Sequence, residues 1–84
     1  MLLVTGLSES KSKYGGVFYY VYFKDYETGK SARTCLCPSY RNYSHWKKLV
    51  DNYKKNVAIE VDNVRINKGM VDADCLPKIM IREI

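Results

Sequence analysis

No stretch of this 84-residue chain is apolar for long enough to cross a bilayer as a helix, so a membrane-spanning helix is not expected. The opening "MLLVTGLSES" has a short apolar stretch with no basic residue ahead of it and no extended hydrophobic region. It does not read as a signal peptide. Cysteine is scarce and odd in number, with three residues. That argues against a closed disulfide framework and for free thiols in a cytoplasmic setting. The single histidine, His45, has no partner arranged to make it a catalytic base. No glycine-rich phosphate loop and no nucleophile–base pair occurs, and repeats, low-complexity tracts and linkers are lacking. The length has room for one small domain, residues 1–84, with a core limited by its size.

Aromatic and basic residues are what the chain does have. Eight tyrosines contribute most of a 13% aromatic content, and tyrosine often marks a contact surface because its hydroxyl tolerates water. The net charge is +5 and unevenly spread. Residues 1–55 hold ten Lys/Arg against four Asp/Glu, whereas residues 56–84 hold four against five. A basic surface attracts polyanions such as nucleic acid or an anionic membrane. A merely solubilising surface is the plain alternative.

Strand-like and helix-like periods alternate in a definite order. "MLLVTGLSES" reads as a first strand, roughly Leu2 to Glu9, and "KSKYGG" as a flexible loop. "VFYYVYFKDY" is a second strand, "ETGK" a tight turn and "SARTCLC" a third strand, ended by Pro38. The period then changes. Trp46, Leu49, Val50 and Tyr53 fall at i, i+3, i+4 and i+7, one face of a helix over 44–55. Ser44 suits its N-cap, and Lys54 and Lys55 suit its C-terminal end. "NVAIEVDNVRI" is a fourth strand with a phase slip near Asp62-Asn63 that suggests a bulge or bend. "NKGMVDADCLP" is a second long loop and "KIMIRE" a fifth strand. The order β-β-β-α-β-β is that of a mainly β, five-stranded OB-fold barrel with one short helix between strands 3 and 4.

The second strand carries five aromatics in the eight residues of "VFYYVYFK". Its two faces differ. Val17, Tyr19, Val21 and Phe23 are assigned to the interior, and Phe18, Tyr20, Tyr22, Lys24 and Tyr26 to the outside. A two-residue turn at Thr28-Gly29 sets Lys24 opposite Arg33, Tyr22 opposite Cys35 and Tyr20 opposite Cys37. A three-residue turn with a bulge at Gly29 shifts that pairing by one, and both stand. OB-folds bind oligonucleotides on strands 2 and 3, flanked by the loops between strands 1–2 and 4–5. Here those loops carry Lys11, Lys13, Tyr14 and Lys68. Rings stack on unpaired bases for roughly 1–3 kcal/mol each while cations track phosphates. Bases are therefore assigned to Tyr14, Tyr20, Tyr22 and Tyr26. Phosphates are assigned to Lys11, Lys13, Lys24, Arg33 and Arg41, with Lys68 on the flank.

A flexible basic loop, a tyrosine-bearing hairpin and the late hairpin "VDNVRINKGMVDADCLPKIMI" together resemble the small OB-fold single-stranded-DNA-binding proteins of phages and mobile elements, of which the filamentous-phage gene V protein is one. The resemblance spans the chain as an order of elements and rests on no invariant motif. It implies coating of unpaired DNA in replication, recombination or transfer of such an element, often by homodimers. The helix at 44–55 departs from the gene V protein and from its dimer arrangement.

Other chemistry gathers less support. Cys35 and Cys37 share one side of a strand, but a zinc site would have to recruit His45 and the distant Cys75. Structural zinc sites usually space their cysteines by about two to four residues. Asp72 and Asp74, with Asp25 and Glu27, suit turns and solvated rims better than a divalent-ion site for phosphodiester chemistry. The expectation is a binding protein, not an enzyme, with no metal or cofactor. A protein–protein adaptor or inhibitor using the aromatic face, and an RNA-binding OB domain, are the alternatives.

Overall fold

Strand β1 (Leu2–Lys11) pairs with two neighbours, and its register slips once. In the computed structural model, which describes residues 1–84, Val4 lies opposite Phe23 but Gly6 lies opposite Tyr22 of β2 (Val17–Asp25). One extra residue on β1 is a bulge. It reverses which residues face inward and bends the strand. Before it Leu2 and Val4 are buried, and after it Leu7 packs against the core. The N-terminal end is thereby turned so that Leu2 and Leu3 also pair with Val61 and Glu60 of β4 (Val57–Asp62).

β3 (Ser31–Leu36) returns antiparallel to β2 around a four-residue loop, Tyr26 to Gly29. The Asp25 amide donates to the Lys30 carbonyl (2.9 Å) and the Gly29 amide to the Asp25 carbonyl (2.8 Å). The Asp25 carboxylate accepts the Glu27 amide at 2.8 Å, and Gly29 takes φ +73°, open to glycine at no steric cost. This corrects both expected registers. Lys24 lies opposite Ser31, Tyr22 opposite Arg33 and Tyr20 opposite Cys35. The displacement from the two-residue turn is two residues, an even number, so each side chain keeps its expected face.

Helix α1 (Tyr43–Asn52) buries Trp46 and Leu49 completely, with Val50 half-buried beside them. The Trp46 Nε1–H donates to the Ala73 carbonyl at 3.0 Å, and Asn42 Nδ2 donates to the Asp74 carbonyl. Two of the helix expectations need correction. Asn42, not Ser44, occupies the N-cap position; it makes no side-chain cap, and its Nδ2 donates to the Asp74 carbonyl instead. The helix also stops at Asn52. Tyr53 is extended (φ −69°, ψ 112°), which takes it off the helical stripe to 37% exposure, and Lys54 and Lys55 lie past the end.

After β4, Asn63 adopts φ +64°, so the phase slip seen in the sequence is where the strand ends. Two further short strands follow: β5 (Ile66–Asn67), across the junction of the expected fourth strand and long loop, and β6 (Met70–Val71), within that loop. They are joined by Lys68 and Gly69, with φ +53° and +78°, the signature of a tight hairpin turn with both central residues left-handed. β7 (Lys78–Glu83) pairs antiparallel with β4.

The strand order is β5-β6-β3-β2-β1-β4-β7. This is a mainly β chain whose curled sheet forms an open half-barrel around Val21, Phe23, Leu36, Ile59, Val61 and the two helix residues. The mainly β, barrel-like architecture with one short helix is as expected, but the five strands expected of an OB-fold are seven. The reason is local. β6 takes the free edge of β3, in parallel, through an Arg33 N–H to Gly69 carbonyl bond (2.9 Å). The buried Thr34 hydroxyl adds a bond to the Val71 carbonyl (2.9 Å), and β7 is left at the far edge of the sheet. No helix is long and apolar enough to cross a membrane.

Candidate nucleic-acid interface

Strand alternation sorts β2 from Tyr20 to Lys24. Val21 and Phe23 are 0% and 1% exposed, while Tyr20 and Tyr22 are 37% and 41% exposed on the opposite face. Opposite the outer rings β1 presents small residues: Ser10 opposite Phe18, Ser8 opposite Tyr20 and Gly6 opposite Tyr22, with Leu3 opposite Lys24 further along. The rings therefore stand above a low floor. Phe18 meets Tyr20 edge to face, with ring centroids 5.3 Å apart and planes at 83°. Such a contact holds an aromatic side chain in place.

On the other flank of β2 the outer face continues through Arg33 of β3 to Met70 of β6, its neighbour across the parallel bridge. Tyr20, Tyr22, Arg33 and Met70 line one shallow depression, and Tyr22, Arg33, Lys68, Gly69 and Met70 line the adjoining one. The β5–β6 hairpin is what brings Lys68 there. Its hold on β3 is the pair of hydrogen bonds from Arg33 and Thr34.

The structure thus gathers Tyr20, Tyr22, Arg33 and Lys68 into one surface, with Lys24 next along β2 and Tyr26 at the hairpin tip, 57% exposed. Lys11, Lys13 and Tyr14 sit at the opposite end, at the β1–β2 turn. That turn is braced: the Ser12 hydroxyl accepts the amides of Tyr14 and Gly16, both at 3.2 Å, and Tyr14 projects from it 96% exposed. Arg41 is exposed in the turn ahead of α1 and lines neither depression. Met70 and Gly6 belong to the surface and were missed in the sequence. The signal for Met70 was the Lys68-Gly69 pair between Ile66-Asn67 and Met70-Val71.

The electrostatics are simple. The salt bridges are Lys47–Asp51 (3.8 Å) and Arg65–Asp72 (3.2 Å), so Lys11, Lys13, Lys24, Arg33, Arg41 and Lys68 have no carboxylate partner. A neighbouring hollow lined by Cys35, Tyr40, Met70, Asp72 and Asp74 bounds the basic surface with negative charge. Cys35 lies half-buried opposite Tyr20, and desolvation, then the nearby Cys37, push its thiol up. The Ser39 side chain (Sγ to Oγ 3.1 Å) and backbone hold the Cys37 thiol below its usual range. Cys35, Cys37, Cys75 and His45 do not gather into a metal-binding group.

Comparison with protein-family models, curated proteins and solved structures finds no match.

Proposed function

We propose that the outer face of the β2–β3 hairpin binds single-stranded DNA, largely without sequence preference, in the manner of a non-enzymatic coating protein. The observation that carries this is the convergence of two half-exposed tyrosines with unpaired Arg33 and Lys68 on one shallow surface. Unpaired bases offer ring faces for Tyr20 and Tyr22 to stack on, and a strand laid across the hairpin sets its phosphates beside the cations. A duplex keeps its base faces inside its own stack, so it gains only the phosphate term. Lys24 and Tyr26 extend the track toward the hairpin tip, and Lys11, Lys13 and Tyr14 extend it toward the β1–β2 turn. Replication, recombination or transfer of a phage or mobile element in the cytoplasm is the setting we infer from the resemblance.

Met70, apolar and 41% exposed at the centre of the surface, supports a second reading, a protein interface such as that of an adaptor or inhibitor. Fluorescence anisotropy with labelled dT, rU and duplex oligomers at two salt concentrations separates the two. The proposal expects dT above duplex and weaker binding at higher salt. Equal affinity for dT and duplex, or none for either at low salt, removes it. RNA is the ligand if rU binds tighter than dT.

A further inference from the structure

A left-handed backbone does not explain the glycine at position 6. The glycines with left-handed backbone are Gly15, Gly29 and Gly69, and Gly6 is not among them. Its surroundings supply the reason instead. A Cβ placed on Gly6 would stand 3.3 Å from Cδ2 of Tyr22, 3.7 Å from its Cβ and 3.8 Å from its Cγ. The Tyr22 ring leans across β1 into the space that a side chain at position 6 would fill. The same ring forms a wall of both depressions shared with Arg33 and Met70.

We propose that Gly6 is a positioning residue for Tyr22: the missing side chain lets the ring lie low over β1 and keeps the hollow toward Arg33 and Met70 open. This rests on the reading of the face as a single-strand site. A contact at 3.3 Å is tighter than side chains ordinarily make, so the ring must give by a few tenths of an ångström. That shift alters the space beside Arg33 and Met70 where a base would stack. Gly6 touches no ligand itself and acts only through the ring, so its effect must vanish when the ring is removed.

A double-mutant cycle of Gly6→Ala and Tyr22→Ala tests this, read by dT affinity, its salt slope and melting temperature. Gly6→Ala is expected to fold, to lose about five- to tenfold in dT affinity, a part of one stacking contact, and to keep the parent salt slope. In the Tyr22→Ala background the same change is expected to have no effect on affinity. An undiminished affinity in Gly6→Ala, or an equal loss in both backgrounds, overturns the proposal. If Gly6→Ala alone does not fold, the double variant decides. A folded double variant with the affinity of Tyr22→Ala upholds the contact, and an unfolded one shows that the bulge itself requires glycine. A parent protein that fails to bind dT overturns the single-strand reading and this inference with it. A parent that binds without coupling overturns this inference alone.

Discussion

Truncating two neighbours on β2, Tyr22 and Phe23, should damage different properties of the protein. Phe23 is 1% exposed and faces Val4 and Ala32 across the strands on either side. Phe23→Ala removes that burial and leaves a cavity, which costs about 3–5 kcal/mol. A chain of this length has roughly 4–13 kcal/mol of stability in total, so the loss is a large share of it. At about 4–8 °C per kcal/mol for a domain of this size, the melting temperature falls by about 12–40 °C. Tyr22→Ala removes an outer ring at 41% exposure. Surface changes are usually within about 0.5 kcal/mol, so melting should move by only a few degrees. Affinity for dT should fall by roughly 1–3 kcal/mol, about 5- to 150-fold. Thermal denaturation by circular dichroism and anisotropy on the same preparations give both numbers. If Tyr22→Ala unfolds the protein while Phe23→Ala leaves it intact, the faces of β2 are assigned backwards. If Tyr22→Ala folds and binds as the parent does, the ring is not a stacking platform.

The helix and the short hairpin make further predictions. Leu49→Ala, at a fully buried site, should cost about 2–5 kcal/mol, and an unchanged melting temperature would place the helix stripe outside the core. Thr34→Val deprives the Val71 carbonyl of its buried partner and should cost about 1–3 kcal/mol by denaturant unfolding. Because that bond holds the β5–β6 hairpin on β3, Lys68→Ala should also matter less to dT binding in the Thr34→Val background. Iodoacetamide at neutral pH should modify Cys37 before Cys35, because Ser39 favours the Cys37 thiolate while desolvation opposes that of Cys35. Ser39→Ala should move the Cys37 rate profile to higher pH, and mass spectrometry showing Cys35 modified first would contradict the assignment.

The inner and outer faces of β2 were legible in the sequence because they depend only on parity. The four-residue loop at Tyr26–Gly29 defeated both turn readings, yet it moved the register by two and left every face unchanged. Trp46, Leu49 and Val50 were legible from their spacing, but Tyr53 continued the same spacing after the backbone had turned extended. Periodicity does not reveal where a helix frays. Ser44 is not the cap because the helix already begins at Tyr43, and Asn42 ahead of it is tied to the Asp74 carbonyl, a contact 32 residues away that no local pattern announces. β6 was hidden by its length. Two residues are too few for an alternation to register, and its place beside β3 is fixed by Thr34, Arg33 and Gly69. β5 and β6, two residues each, are why the sheet has seven strands where five were expected. They also carry Met70 and Lys68 to the tyrosine face.

Where a single strand touches the protein can be read directly from a 15N-labelled sample titrated with a dT oligomer, with amide shifts followed residue by residue. The largest changes are expected on Tyr20, Tyr22, Arg33, Lys68 and Met70, with smaller ones at Lys24 and the β1–β2 turn. The β4–β7 pair and the exposed side of α1 should remain unperturbed. Shifts concentrated on β7 or α1, or none at low salt, would contradict the hairpin face as the single-strand site.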